Sequence, residues 1–153
     1  MGAPPLPTAA EALAGVLLAH ACYTDLRSLR IRNWALLLGV AGGLALHTLG
    51  GGWAGTARAL EGIAAGAIWW AAVYLCRLGP GDAKLAMALG AILGPGVALG
   101  GPACGCLLCA LALGPWVLWR RWRGLPWRDV PLPMAPWLAA GVVLTLWWRA
   151  AVP

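Results

Sequence analysis

Apolar residues in this chain run in long blocks, and the polar residues are gathered into short breaks between them. The first block extends from about Leu6 to Thr24, the second from Trp34 to Leu49, the third from about Ala57 to Cys76, and the last from about Leu132 to Trp148. Blocks of roughly 20 apolar residues match the ~30 Å hydrocarbon core of a bilayer when helical. From Leu85 to Trp119 there is no charge for 35 residues. One helix of that length would measure about 52 Å, so the stretch predicts two spans. Two turn signals compete for the break, Gly94-Pro95-Gly96 and Gly100-Gly101-Pro102, and even span lengths favour the second. Gly50-Gly51-Gly52 predicts the turn between the second and third spans, and Pro131, Pro133 and Pro136 lead into the last. The pattern predicts an all-α integral membrane protein of about six transmembrane helices. It forms one domain over residues 1–153, with no soluble domain.

Composition supports this reading. Of 153 residues, 61% are hydrophobic and 10% charged, and the mean hydropathy is +0.78. Soluble domains run nearer 45–50% and about 25%. The net charge of +6 does not point to nucleic acid, because the cations sit in loops between apolar blocks. With the N-terminus outside, the inner loops hold Arg27, Arg30, Arg32, Arg77, Lys84, Arg120, Arg121, Arg123 and Arg128. The outer side holds Arg58 and Arg149. Nine against two is the bias expected of a multi-pass membrane protein with both termini outside. Trp34, Trp53, Trp119, Trp122, Trp127, Trp147 and Trp148 fall near the predicted interfaces. Ala19-His20-Ala21 mimics a signal-peptide cleavage site, but the cations follow the first block instead of preceding it, so that block is expected to be a retained span. Arg58 and Glu61 are spaced to pair on one helix face. Gly62 and Gly66 are spaced for close helix packing.

Few side chains remain that can do chemistry. The five cysteines, Cys22, Cys76, Cys104, Cys106 and Cys109, lack paired metal-site spacing and read as small apolar side chains. No metal or cofactor is expected. Among the five acids, Glu11 and Glu61 lie at helix starts and Asp129 in a basic loop. Asp25 and Asp82 are 57 residues apart, yet the topology puts both at the inner edge of the membrane. Ionisable groups at membrane depth are costly and point to function. Taken singly, each also fits a local role: Asp25 as a partner of Arg27 or Arg30, Asp82 as an N-cap with Lys84 as counter-ion. Gly81 removes a side chain beside Asp82, where an extended peptide could approach. His20 lies about one turn before Asp25, and His47 is the other histidine.

Gly79-Pro80-Gly81-Asp82-Ala83-Lys84-Leu85 resembles the GxGDxKL signature of the bacterial type IV prepilin peptidase family. Asp25-Leu26-Arg27-Ser28-Leu29-Arg30-Ile31-Arg32-Asn33 is similar to that family's second signature, an aspartate followed by a basic stretch and Ile-Pro-Asn. Here Arg32 stands in place of the proline. Archaeal preflagellin peptidases and presenilin-type proteases share the GxGD pattern more distantly. The resemblance implies that Asp25 and Asp82 are the catalytic pair, with Gly79, Gly81, Lys84 and Arg27 supporting the site or binding substrate. It also favours the Gly94-Pro95-Gly96 turn. The first inner loop is too short for the cysteine-bearing insert of larger members, so no methyltransferase activity is expected. The chain looks like the short members tied to tight-adherence pili.

The implied function is an intramembrane aspartic endopeptidase that removes a short basic leader from prepilin-like substrates. It would act at the cytoplasmic face of the bacterial inner membrane, with pilus assembly machinery as a further partner. Two carboxyls close together share a proton, one activating water and the other polarising the scissile carbonyl. Two other classes fit the same acids: a non-catalytic assembly partner of a pilus or secretion system, and a small proton- or cation-coupled transport protein.

Overall fold

A computed structural model of the chain describes residues 8–76, 79–126 and 132–151. Leu6, Arg77, Trp127, Arg128, Asp129 and Pro131 lie outside the described residues. Six helices follow in order among the described residues: α1 (Ala9–Ser28), α2 (Asn33–Ala67), α3 (Trp69–Cys76), α4 (Pro80–Leu93), α5 (Pro95–Trp122) and α6 (Ala135–Ala151). No strand occurs among them. Two helical stretches, Asn33–Leu75 and Pro95–Trp122, are each long and apolar enough to cross a membrane.

Local chemistry sets the helix ends. Thr8 caps α1, its hydroxyl accepting the Glu11 N–H while the Glu11 carboxylate accepts the Thr8 N–H at 2.7 Å. This reciprocal pair satisfies two amides that would otherwise lack partners. The helix closes at Leu29, a non-glycine residue at φ 52°. That left-handed turn redirects the chain towards α2. The second helix does not end at Gly50-Gly51. Its direction changes at Gly52 alone, where φ 55° and ψ −137° leave the helical region. Only glycine takes up such a conformation at little cost. Past the break the chain doubles back, with the Thr48 and Thr56 hydroxyls 2.8 Å apart. The third block divides at Ile68 into the end of α2 and the short α3. No sequence signal marked that division. Between α4 and α5 the break falls at Gly94, φ 87°, with Pro95 opening α5. Gly100, Gly101 and Pro102, the alternative turn, lie inside α5.

The centre of the fold is α4, packed against both halves of α2. Gly39 and Gly43 from the first half meet Ala88, Ala91 and Ile92. Gly62 and Gly66 from the second half meet the backbone at Gly90 and at Ala86–Met87. A methyl group on Gly43 would stand 2.6 Å from the Ala91 carbonyl carbon, and one on Gly66 2.6 Å from the Ala86 oxygen. The expected Gly62/Gly66 packing is therefore observed. His47 Nε2–H donates to the Ile92 carbonyl at 3.0 Å, fixing the far end of α4. Leu85 and Leu89 are fully buried at this junction, beside Leu17, Leu36, Val97 and Leu138. A second small-residue seam, Gly101 and Gly105 against Gly141, Val142 and Leu138, joins α5 to α6. Outside these seams, Trp34, Trp53, Trp119, Trp122, Trp147 and Trp148 are all exposed. Arg58 and Glu61, spaced so that they can pair, line one cavity.

Two glycines separate packing from helix propensity. Alanine suits a helix better than glycine by about 0.5–1 kcal/mol, and Gly15 in α1 has open space around it. Gly15→Ala should raise the melting temperature slightly. A methyl group on Gly90 would collide with the Gly62 carbonyl, so Gly90→Ala should cost about 1–3 kcal/mol or more. Thermal unfolding of the detergent-solubilised protein reads both signs.

Candidate active site

The Asp25 side chain comes from the penultimate turn of α1 and is only 7% exposed. A buried carboxyl needs hydrogen-bond partners. Asp25 finds one in the main chain: the N–H of Ala135, first residue of α6, donates to Oδ2 at 2.8 Å. The first and last helices are thus joined at the carboxylate. An anion at a helix N-terminus also meets free amides and the positive end of the helix dipole. An amide can only donate, so Oδ2 is the acceptor of this bond. Thr24 is equally buried and turns its hydroxyl onto its own helix, towards the His20 and Ala21 carbonyls.

Asp82 stands in the first turn of α4, three residues after the N-cap Gly79. It is therefore not the N-cap itself. Its carboxyl folds back over Gly79, with Oδ2 3.2 Å from where a Cβ on that glycine would stand. A side chain at 79 would crowd the acid. Pro80 opens the helix, where its missing N–H costs nothing. Asp25 is close enough to act electrostatically on Asp82. The fold therefore brings together the two acids that the sequence separates by 57 residues.

The remaining site residues divide. Lys84 donates to Asn33 Oδ1 at 3.1 Å and so serves as a strut between α4 and the start of α2, not as a counter-ion to Asp82. Gly81 receives a side chain of the protein itself: a Cβ there would stand 3.3 Å from the Ile31 Cβ. Both contacts join the stretch after Asp25 to the stretch around Asp82. Arg27 turns away along the exposed face of α1, hydrogen-bonding the Tyr23 hydroxyl and lying over its ring. His20 lies against Trp34, ring centroids 5.1 Å apart. His47 is at the other end of α4.

Beside Asp82 opens a crevice of about 10 Å³, lined by Trp69 and Val73 of α3, Ala83 of α4, Pro102 and Cys106 of α5, and Leu138 of α6. That is room for about one water molecule. Trp69 is held in place by its Nε1–H, which donates to the Ala98 carbonyl at 2.9 Å. Cys109 is buried with Sγ 3.9 Å from Met134 Sδ, and Cys22 and Cys104 are partly buried free thiols. Among the described residues no three His, Cys, Asp or Glu side chains converge as metal ligands. Sequence reasoning missed the Ala135 amide, Asn33 and Trp69. Asn33 carried a signal, since it ends the quoted basic stretch. An amide that any residue could supply carried none.

A buried acid tied to a helix start, a second acid within electrostatic reach, and a water-sized apolar crevice suit hydrolysis by paired carboxyls. Comparison with known proteins adds an independent finding. No curated protein and no solved structure gives a significant match. The chain does match the type IV leader peptidase family over residues 12–147, a stretch that contains both acids and all six helices in whole or in part. By that match, the protein belongs to the type IV leader peptidase family.

Proposed function

We propose that the protein is an intramembrane aspartic endopeptidase that removes the short basic leader of prepilin-like substrates, with Asp25 and Asp82 as its catalytic pair. The observation that supports this reading is that the buried Asp25 lies within electrostatic reach of the half-buried Asp82, which itself lines a crevice of one water's size. Family membership and the apolar helices support a membrane-bound peptidase. Six spans with both termini outside accord with the distribution of cations. That arrangement puts the acids at the cytoplasmic face of the bacterial inner membrane, where a pilus assembly system would receive the product.

In the proposed reaction the pair holds one proton, because two adjacent carboxyls resist ionising together. The ionised member takes a proton from water as the water attacks the scissile carbonyl. The protonated member polarises the carbonyl oxygen and then helps protonate the leaving nitrogen. The Ala135 N–H on Oδ2 would fix the orientation of the Asp25 carboxyl during the reaction. Lys84–Asn33 and Gly81–Ile31 hold the two acid-bearing segments in register. Gly79, Gly81 and Lys84 are thus positioning residues, and Arg27 on its exposed face is available to an incoming substrate.

Replacement of the acids separates catalysis from folding. Asn at position 25 keeps an oxygen to accept the Ala135 N–H, so Asp25→Asn should melt close to wild type. Asp25→Ala strands that amide and should cost about 1–3 kcal/mol. Both variants, and Asp82→Asn, should fail to shorten a candidate prepilin by its leader, as read by mass spectrometry. Wild-type cleavage by Asp25→Asn or Asp82→Asn would exclude the pair.

The cleavage rate should trace a bell against pH, its two limbs belonging to the pair and not to either residue. Chelators should leave that rate unchanged, since the proposed chemistry asks nothing of a metal. Loss of activity with a chelator, restored by zinc, would refute the mechanism.

A further inference from the structure

We propose that the end of the protein remote from Asp82 holds an anion site for a phosphodiester headgroup, formed by the guanidinium groups of Arg58 and Arg149. The two arginines come from different helices and converge on the start of α5. Arg58, on the second half of α2, places Nε 3.6 Å from where a Cβ on Gly94 would stand. Arg149, on α6, lays its guanidinium over Gly96, with Cζ 3.1 Å from the corresponding position there. Between them lies a cavity of about 460 Å³, lined also by Glu61, Leu93 and Pro95. A neighbouring hollow of about 360 Å³ shares Arg58 and Ala54 with it. These volumes fall within the range of small-ligand sites, about 300–1,000 Å³.

Charge decides the class of ligand. Neither guanidinium has a hydrogen-bond or ion-pair partner among the described residues, although the Glu61 carboxylate lines the same cavity. Two guanidiniums and one carboxylate leave one net positive charge, which a phosphodiester anion neutralises. Each guanidinium can offer it a pair of parallel N–H donors.

Location decides the source. Along the 14 residues of α4 this cavity is about 21 Å from the Asp82 end. On the proposed orientation, with the acids at the cytoplasmic face, it lies at the outer face. The cation bias leaves only two positive side chains on that face, Arg58 and Arg149, and both line this one cavity. The apolar part of its lining, Ala54, Ala57, Leu93 and Pro95, suits acyl chains below a headgroup. The site is independent of the peptidase chemistry at the other end.

The test uses the full chain purified in detergent, with melting followed by tryptophan fluorescence. Phosphatidylglycerol should raise the melting midpoint by a few degrees, as a ligand of the native state does. Diacylglycerol, which has the same chains without the phosphate, should not. The Arg58→Gln/Arg149→Gln protein should lose the phosphatidylglycerol shift while still cleaving leader, and Arg58→Lys/Arg149→Lys should keep part of the shift. No shift in wild type, an equal shift with diacylglycerol, or a full shift in the double glutamine variant would overturn the proposal. An equal shift with inorganic phosphate would overturn the lipid source and assign the site to free phosphate. The wild-type shift does not require cleavage, so failure of the peptidase reading leaves this result standing.

Discussion

How closely two backbones can approach decides where Asp82 stands. Helices in a bilayer gain little from the hydrophobic effect on packing together, because lipid tails are as apolar as leucine. What holds them is van der Waals contact at short range, and that requires small side chains at the seam. Here α4 touches both halves of α2 through Gly39, Gly43, Gly62 and Gly66, with Gly90 answering from α4 itself. The seam sets the height of α4 and therefore of the acid at its start. Gly52 lets one long apolar stretch supply both sides of the clamp. A methyl group on any of several of these glycines would push the helices apart and carry Asp82 away from Asp25.

Asp25 is positioned by a different kind of force. Its carboxyl is buried and takes a main-chain donor from α6, closing the bundle from its first helix to its last. One hydrogen bond thus supports the fold and fixes the orientation of the carboxyl. Asp82 is held by its own helix start, through Gly79. The two acids come within electrostatic reach as the segment from Leu29 to Asn33 reaches across to the Gly79–Asp82 stretch, Ile31 resting on Gly81 and Asn33 on Lys84. Those contacts give a physical reason for the glycine and the lysine that does not depend on substrate.

Much of this was legible in the sequence. The uncharged 35-residue stretch required a break, and Gly94-Pro95 supplied one because glycine takes the positive φ and proline starts a helix without needing its N–H. The spacing of Gly62 and Gly66 announced a close contact but not its partner, since a small residue does not say what approaches it. Asp25 and Asp82 were singled out by the equal depth that the apolar blocks and charge bias predict for them. The alternative local roles, with partners taken from neighbours in sequence, are not what the structure shows. Lys84 and Arg27 stand two residues from the acids, yet they turn to Asn33 and Tyr23. A helix advances about 100° per residue, so residues two apart face different ways. The break at Ile68 and the Ala135 amide left no trace, because neither depends on a distinctive side chain.

The central claim is that Asp25 and Asp82 act as one unit, and a double-mutant cycle on leader cleavage tests it most directly. Rates would be measured in single turnover, enzyme in excess, for Asp25→Asn, Asp82→Asn and the double variant. A pair that shares one proton loses its function when either member is replaced, so the double variant should be no slower than the slower single variant. Losses that multiply, with each acid still contributing in the absence of the other, would contradict it.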